Sequence, residues 1–302
     1  MEQAVSAKRV NQEAVSFGSS RWTRIRRELK KNRLLAIGLI LVIALVATVL
    51  AAPLLTSWNP NDVDLSKRLL LPGQEGHLLG TDGFGRDLFA RILYGGQNSL
   101  ALAVLIVLTN AVIGMIIGAF SAYSGGLIDA AIMRLVDLLM SFPSRIMTIF
   151  IVGVFGPSLK NLFLSLILMG WIGYARMSRS LVLSLKERIF VQSSRGIGCS
   201  GARLLFRHII PHVLPTLFIY ATMHIGSAVL SIAALGFLGL GVQPPTAEWG
   251  TMLSDAKQYV FLYPHMVLLP GAAIVLSVFA FNLLGDGLRD LADPHAKEII
   301  KT

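Results

Sequence analysis

Charge is what this chain has least of. Of its 302 residues 15% are Asp, Glu, Lys or Arg, where a soluble domain carries about 25%, and 54% are hydrophobic. That balance excludes an ordinary water-soluble domain. Cysteine is nearly absent: Cys199 stands alone, so no internal disulfide can form. Acidic residues are scarce beside basic ones, 17 against 27. No G-x-x-x-x-G-K-[ST] loop occurs, which excludes an ATP site of that kind within the chain. The alternation of a membrane β-barrel is missing. So is any cluster of titratable residues converging at one depth, as a membrane-embedded enzyme needs.

Long apolar runs are what is present. Six occur, at 34–55, 99–122, 131–155, 161–178, 213–239 and 266–284, against the roughly 20 residues that cross a hydrocarbon core. The first is too long and too deep in the chain for a cleaved leader. The expected fold is all-α, a membrane protein with six transmembrane helices. Basic residues orient it. The tail holds Lys8, Arg9, Arg21, Arg24, Arg26, Arg27, Lys30, Lys31 and Arg33, and a polar island between the fourth and fifth runs holds six more against Glu187. Both belong in the cytoplasm, so both termini are expected inside and the loops at 56–98 and 241–265 outside. The net charge of +10 therefore reads as topology and attraction to anionic lipid, with no nucleic-acid partner. Three segments result: a basic cytoplasmic tail 1–33, a first helix with its outer loop 34–98, and a five-helix core 99–302 containing a cytoplasmic loop 180–212.

That cytoplasmic loop is the most informative stretch. Lys186 to Gly201, continuing to His208-Ile209-Ile210-Pro211, predicts a short helix at 190–195, a glycine break at 196–201, and a second short helix at 202–210. Pro211 then starts the next span. A soluble partner can grasp such an element and pull on the two spans it joins. Gly196-Ile197-Gly198-Cys199-Ser200-Gly201 fits a dinucleotide fingerprint literally but lacks the strand, the βαβ unit and the following acid. His208 and His212 have the spacing of a metal pair, yet Pro211 lies between them and no third ligand is near, which favours a structural role. Cys199 reads as a small filler beside the break.

Gln192-Ser193-Ser194, then Gly198 after three residues, then Ile210-Pro211 resembles the signature loop of bacterial ATP-binding-cassette (ABC) importer permeases. The family motif begins Glu-Ala-Ala and ends Ile-x-Leu-Pro; here Gln192 replaces Glu, Ser193 and Ser194 replace Ala, and His208 replaces the first Ile. Three further stretches are similar to the second, C-type permease of peptide and nickel importers. They are His77 to Asp87 with Arg91 and Tyr94-Gly95, Ala234 to Gly250, and Phe281 to Asp290 with Asp293-Pro294. Trp171, Tyr174-Ala175-Arg176-Met177 and Glu248-Trp249-Gly250-Thr251-Met252 lean toward the nickel or metallophore branch. The resemblance implies a type I importer permease in the bacterial cytoplasmic (inner) membrane that imports nickel or a metal chelate; the alternative is a dipeptide or oligopeptide. It implies a second permease subunit, two ATPase subunits carrying ATP and Mg, and an extracytoplasmic binding protein. The chain itself would bind no cofactor or metal and catalyse nothing. Phe190, Gln192, Ser193, Ser194, Arg195, Gly198 and Pro211 would dock the ATPase.

Asp82, Arg86 and Asp87 are expected to order an outer loop over the mouth of the bundle. Pro244-Pro245 and Trp249 suggest an interfacial turn, and Leu288 to Asp293 a short amphipathic piece. In the third span Arg134 and Asp137 are spaced to pair. Arg145, placed near mid-span, has no acid at helical spacing. It either pairs with a neighbouring subunit or lines the path for cargo carboxylates. His224, beside Met223, could touch a passing metal; a packed, satisfied His is the plainer reading.

Overall fold

A computed structural model describes residues 32–292; the basic tail up to Lys31 and Asp293-Pro294 lie outside them. The described residues are helical, with one isolated bridge between Thr81 and Asp87 and no strand. The main helices are α1 (Arg33–Leu50), α2 (Leu88–Ser124), α3 (Gly126–Met140), α4 (Ser144–Phe155), α5 (Leu159–Lys186), α6 (Ile189–Gly196), α7 (Gly201–Phe237), α8 (Trp249–Ala256) and α9 (His265–Ala292). Four of them, α1, α2, α7 and α9, are long and apolar enough to cross a membrane, and α3 with α4 makes a fifth if that bent pair is one span. α5 has the length, 28 residues, but carries Lys160, Arg176, Arg179 and Lys186.

The apolar runs located the helices but not their shapes. The third run is two helices bent by 79° at Ser141 to Pro143. Proline has no N–H to continue the ladder and disfavours helix in the residue before it. Arg145 accordingly lies in the first turn of α4, not midway along a straight span. Behind the glycine break the expected second short helix is absent. Gly201–Phe237 is one helix whose Leu204–Ile209 turn is π-wound, so Pro211 sits inside a continuous rod. The C-terminal piece from Leu288 likewise continues α9 to Ala292.

α1 packs along α9. Gly38 lets it approach so closely that a Cβ there would lie 2.4 Å from the Leu284 nitrogen, and Asn32 caps α1 while donating to the Gly287 carbonyl. α2 and α5 run side by side in the same direction. Gly114 faces Tyr174, Gly118 faces Ala175, and Ala122 meets Lys186. One core cluster, around Leu100, Ile232, Trp249 and Met266, fills the end bearing the 56–87 loop. A second, around Val182, Val191, Leu204 and Ile209, fills the end bearing α6.

Ion pairs between helices replace the expected pairing along one helix. Asp137 pairs with Arg176 of α5, not with Arg134, and Asp129 holds Arg179 through two bonds of 2.7 and 2.6 Å. A Cβ on Gly118 would lie 2.1 Å from the Ala175 carbonyl oxygen, so Gly118→Leu must push α2 off α5. Overpacking of this kind costs typically 1–3 kcal/mol or more. The variant should show reduced recovery and a lowered unfolding midpoint in detergent. An unchanged midpoint would contradict the close packing.

Candidate functional site

The loop after α5 is tethered at its root and open at its face. Lys186 Nζ donates to the Ala122 carbonyl at 2.9 Å, anchoring the end of α5 to the end of α2. Val191 of α6 is fully buried with Leu204 and Ile209 of the π turn. The other face looks outward: Phe190, Gln192, Ser193 and Arg195 are exposed, and Ser194 is half-buried with its hydroxyl donating to the Phe190 carbonyl at 2.8 Å. Gln192 Nε2 donates to the Glu187 carbonyl at 3.2 Å. Gly198 has φ +85°, and a Cβ there would meet no atom within 4 Å. The backbone, not lack of space, requires glycine at this turn. Ile189, Ile197 and Phe206 stand 81%, 87% and 68% exposed around it. Three large apolar side chains thus stand exposed on an otherwise polar loop. His212 of α7 has its Nδ1 2.7 Å from the His208 carbonyl, and its ring stands 5.2 Å from Phe190.

At the opposite end, residues 56–87 form an ordered cap fastened by buried charges. Asp82 accepts from the Phe84 and Arg86 backbone N–H groups at 2.8 and 3.0 Å. Its other oxygen lies 2.6 Å from Arg86 Nε and 3.4 Å from Arg91 Nε. Arg86 also reaches Asp255 at 2.9 Å, which ties the cap to α8. Asp87 caps α2 through the Ala90 N–H and holds His77 Nδ1 at 2.8 Å, with Trp58 stacked on the His77 ring. Glu248 caps α8, accepting from Gly250 and Thr251 N–H and the Ser99 hydroxyl. Burial pushes its carboxyl above the ordinary 4.5, against the pull of those donors. Trp249 is not interfacial. Its ring is buried against Gly96 and its Nε1 donates to the Ile92 carbonyl at 2.9 Å.

The three residues considered for a cargo path separate. His224 Nδ1 faces the Tyr220 carbonyl at 2.8 Å, and its ring packs on Tyr220 and Tyr174. Met223 packs against Gly285 of α9. Both are occupied in packing. Arg145 instead lines a cavity of about 230 Å³ between α4, α5 and α7, where its one hydrogen bond among the described residues is a 3.5 Å contact to the Ser231 hydroxyl. Its side chain is exposed in that cavity, and a charge within a membrane-spanning bundle commonly faces a wet path or a partner.

Sequence reasoning quoted His77, Arg91 and Asp255 as motif residues without giving them a part in the cap, and it missed Ser231 in the cavity and the exposure of Ile189, Ile197 and Phe206 on the loop. Isolated apolar residues within a polar island were the available sign for the last three.

A helical bundle with a buried-charge cap at one end and an open, tethered loop at the other defines a polytopic membrane transport subunit. The family "Binding-protein-dependent transport system inner membrane component" matches residues 112–298, and "N-terminal TM domain of oligopeptide transport permease C" matches residues 20–72. The chain belongs to this family of inner-membrane permeases and is a multi-pass, non-catalytic membrane subunit of an ABC importer, a class that works with ATPase and binding-protein partners. It is 41% identical to the dipeptide transport system permease protein DppC of Alkalihalophilus pseudofirmus, over 92% of this chain and 91% of that protein. It is 42% identical to the nickel transport system permease protein NikC of Escherichia coli, over 92% and 96%. A putative peptide permease protein of Brucella suis is 40% identical over 98% and 99%. A chain from inward-facing crystal structures of the MetNI methionine ABC transporter matches with a TM-score of 0.53 at 20% identity, covering 66% of this chain and 95% of that one. That likeness is one of fold, the type I importer permease.

Removing the Asp82 carboxylate leaves Arg91 buried beside Arg86 with no carboxylate of its own, and Arg86 with Asp255 alone. Asp82→Asn should cost about 3–5 kcal/mol and expose the cap to protease at 56–87 while the helices stay folded. Undiminished protease resistance would contradict the role given to Asp82.

Proposed function

We propose that the chain is one of two different permease subunits whose six spans, with both termini in the cytoplasm, form the translocation path for nickel or a metal chelate delivered by an extracytoplasmic binding protein. α5 is the added span: its four basic residues lower its mean hydropathy, but Arg176 and Arg179 are neutralised by acids on α3. A dipeptide or oligopeptide cargo has equal support, since relatives named for dipeptide and for nickel stand at 41% and 42% identity. ATP and Mg belong to the partner ATPases, and this chain binds no cofactor of its own.

The observation that carries the coupling role is the loop face itself. Ile189, Phe190, Ile197 and Phe206 are exposed around Gly198, while Val191, Leu204 and Ile209 root the same loop in the core. Phe190, Gln192, Ser193, Ser194 and Arg195 of α6 would sit in a groove on the ATPase, with Pro211 at the root of α7. Closure of the ATPase pair on ATP would push α6. The push would pass to α5 through the short link at Glu187 and Arg188, and to α7 through the π turn. Asp82, Arg86 and Asp87 would hold the cap that meets the binding protein outside.

Gly198→Asp places a charged side chain, in a strained backbone, on the face the ATPase would cover. The variant should reach the membrane in normal amount yet lose ATP-driven uptake, through either detached ATPases or loss of cargo-stimulated hydrolysis. Normal co-purification together with normal stimulated hydrolysis would reject the docking assignment.

A further inference from the structure

Arg86, Arg91, Arg176 and Arg179 each meet a carboxylate within the chain. Arg145 does not: among the described residues its one polar partner is the Ser231 hydroxyl, at the 3.5 Å limit of a hydrogen bond, and that hydroxyl already donates to the Ser227 carbonyl at 2.7 Å. A guanidinium carries five N–H donors in a planar fork that matches a carboxylate. Four of the five therefore have no acceptor among the described residues, and the side chain stands exposed to the cavity. The surrounding cavity contains no second ionisable group. Its polar wall is Ser144, Thr148 and Ser231, Thr148 donates to the Ser144 carbonyl, and the remainder is apolar, as at Leu166, Met169 and Leu235. The wall joins three elements, the first turns of α4, the middle of α5 and the C-terminal end of α7. α5 and α7 are the two helices joined by α6.

We propose that this cavity is a carboxylate station on the cargo route, with Arg145 as its recognition group and Ser231 holding the empty guanidinium in place. This rests on the reading of the bundle as the translocation path and adds the class of cargo. A species bearing a free carboxylate, either a peptide C-terminus or an acidic metal chelate, is bound here in passing, whereas a bare divalent cation is repelled. The volume of about 230 Å³ is below the ~300–1,000 Å³ of a pocket that encloses a whole small molecule. It suits one carboxylate-bearing end of a cargo whose remainder stays in the path. Loose coordination is consistent with transit, because a site that must release its ligand cannot surround it.

The test uses the full complex with its ATPases in membrane vesicles and a reporter cysteine at Ala234, an exposed wall residue, in a Cys199→Ser chain. The rates of modification by an anionic sulfonate and a cationic trimethylammonium methanethiosulfonate are compared. A cleft of one sign raises counter-ion encounter at least roughly tenfold, so Arg145→Met should lower the anionic-to-cationic ratio by about that factor, while Arg145→Lys should largely retain it. Protection by a dipeptide but not its C-terminal amide identifies a peptide source. Protection by the Ni²⁺–histidine chelate but not by Ni²⁺ alone identifies a chelate source. An unchanged ratio in Arg145→Met overturns the proposal, as does equal protection by the amide or by Ni²⁺ alone. Loss of the intact complex in both Arg145→Met and Arg145→Gln assigns the guanidinium to the sister subunit and overturns it too. None of these results bears on the docking face at Gly198, and failure of that assignment would leave the expected drop in the ratio on Arg145→Met in place.

Discussion

The packing of α2 against α5 is the contact on which the rest depends. α2 begins at Asp87 inside the cap and ends at Ser124 beside the loop that bears α6, so one 37-residue helix joins the two ends of the molecule. At 1.5 Å per residue it is about 55 Å long, nearly twice the hydrocarbon thickness. Gly114 and Gly118 remove the side chains that would hold α5 away, and the two backbones come into direct contact. In lipid there is little hydrophobic drive to join helices, and close packing through small residues supplies the attraction. Anything that moves α5 must therefore move α2, and with it the cap.

Charge is held in two opposite ways along this axis. In the cap, Asp82 is surrounded by two guanidinium groups and two backbone N–H groups, and Asp87 by His77 and the start of α2. Such saturated sites fix geometry, because removing one member leaves its partner desolvated and alone. Arg145 is the contrasting case, with one weak contact in an otherwise apolar wall. Paired charges fix the frame, and Arg145 is the group proposed to meet cargo.

The sequence made the helices legible and left their joints obscure. Apolar composition measures transfer out of water and is blind to direction. The run 131–155 thus read as one span although Pro143 stood in its middle, and the structure bends there by 79°. Spacing rules see neighbours along one helix. They offered Arg134 for Asp137, whereas the chosen partner was Arg176, 39 residues away. The glycine break ahead of α7 was visible because Gly198 needs a left-handed backbone, but the π turn that fuses the next helix to its span leaves no such mark. The cap was half legible: Asp82 and Arg86 stood out, while Arg91, Asp255 and His77 met them only through folding.

The central claim is that the loop between α5 and α7 is the surface through which the ATPase drives the bundle. Ile197 is 87% exposed at its tip, in contact range of whatever covers Gly198. A photoreactive benzophenone residue in place of Ile197, irradiated in the assembled importer, measures that contact directly. The account predicts a crosslink to an ATPase subunit whose yield changes between nucleotide-free and ATP-bound states. A crosslink to the binding protein, or to lipid alone in an importer that still transports, would contradict it.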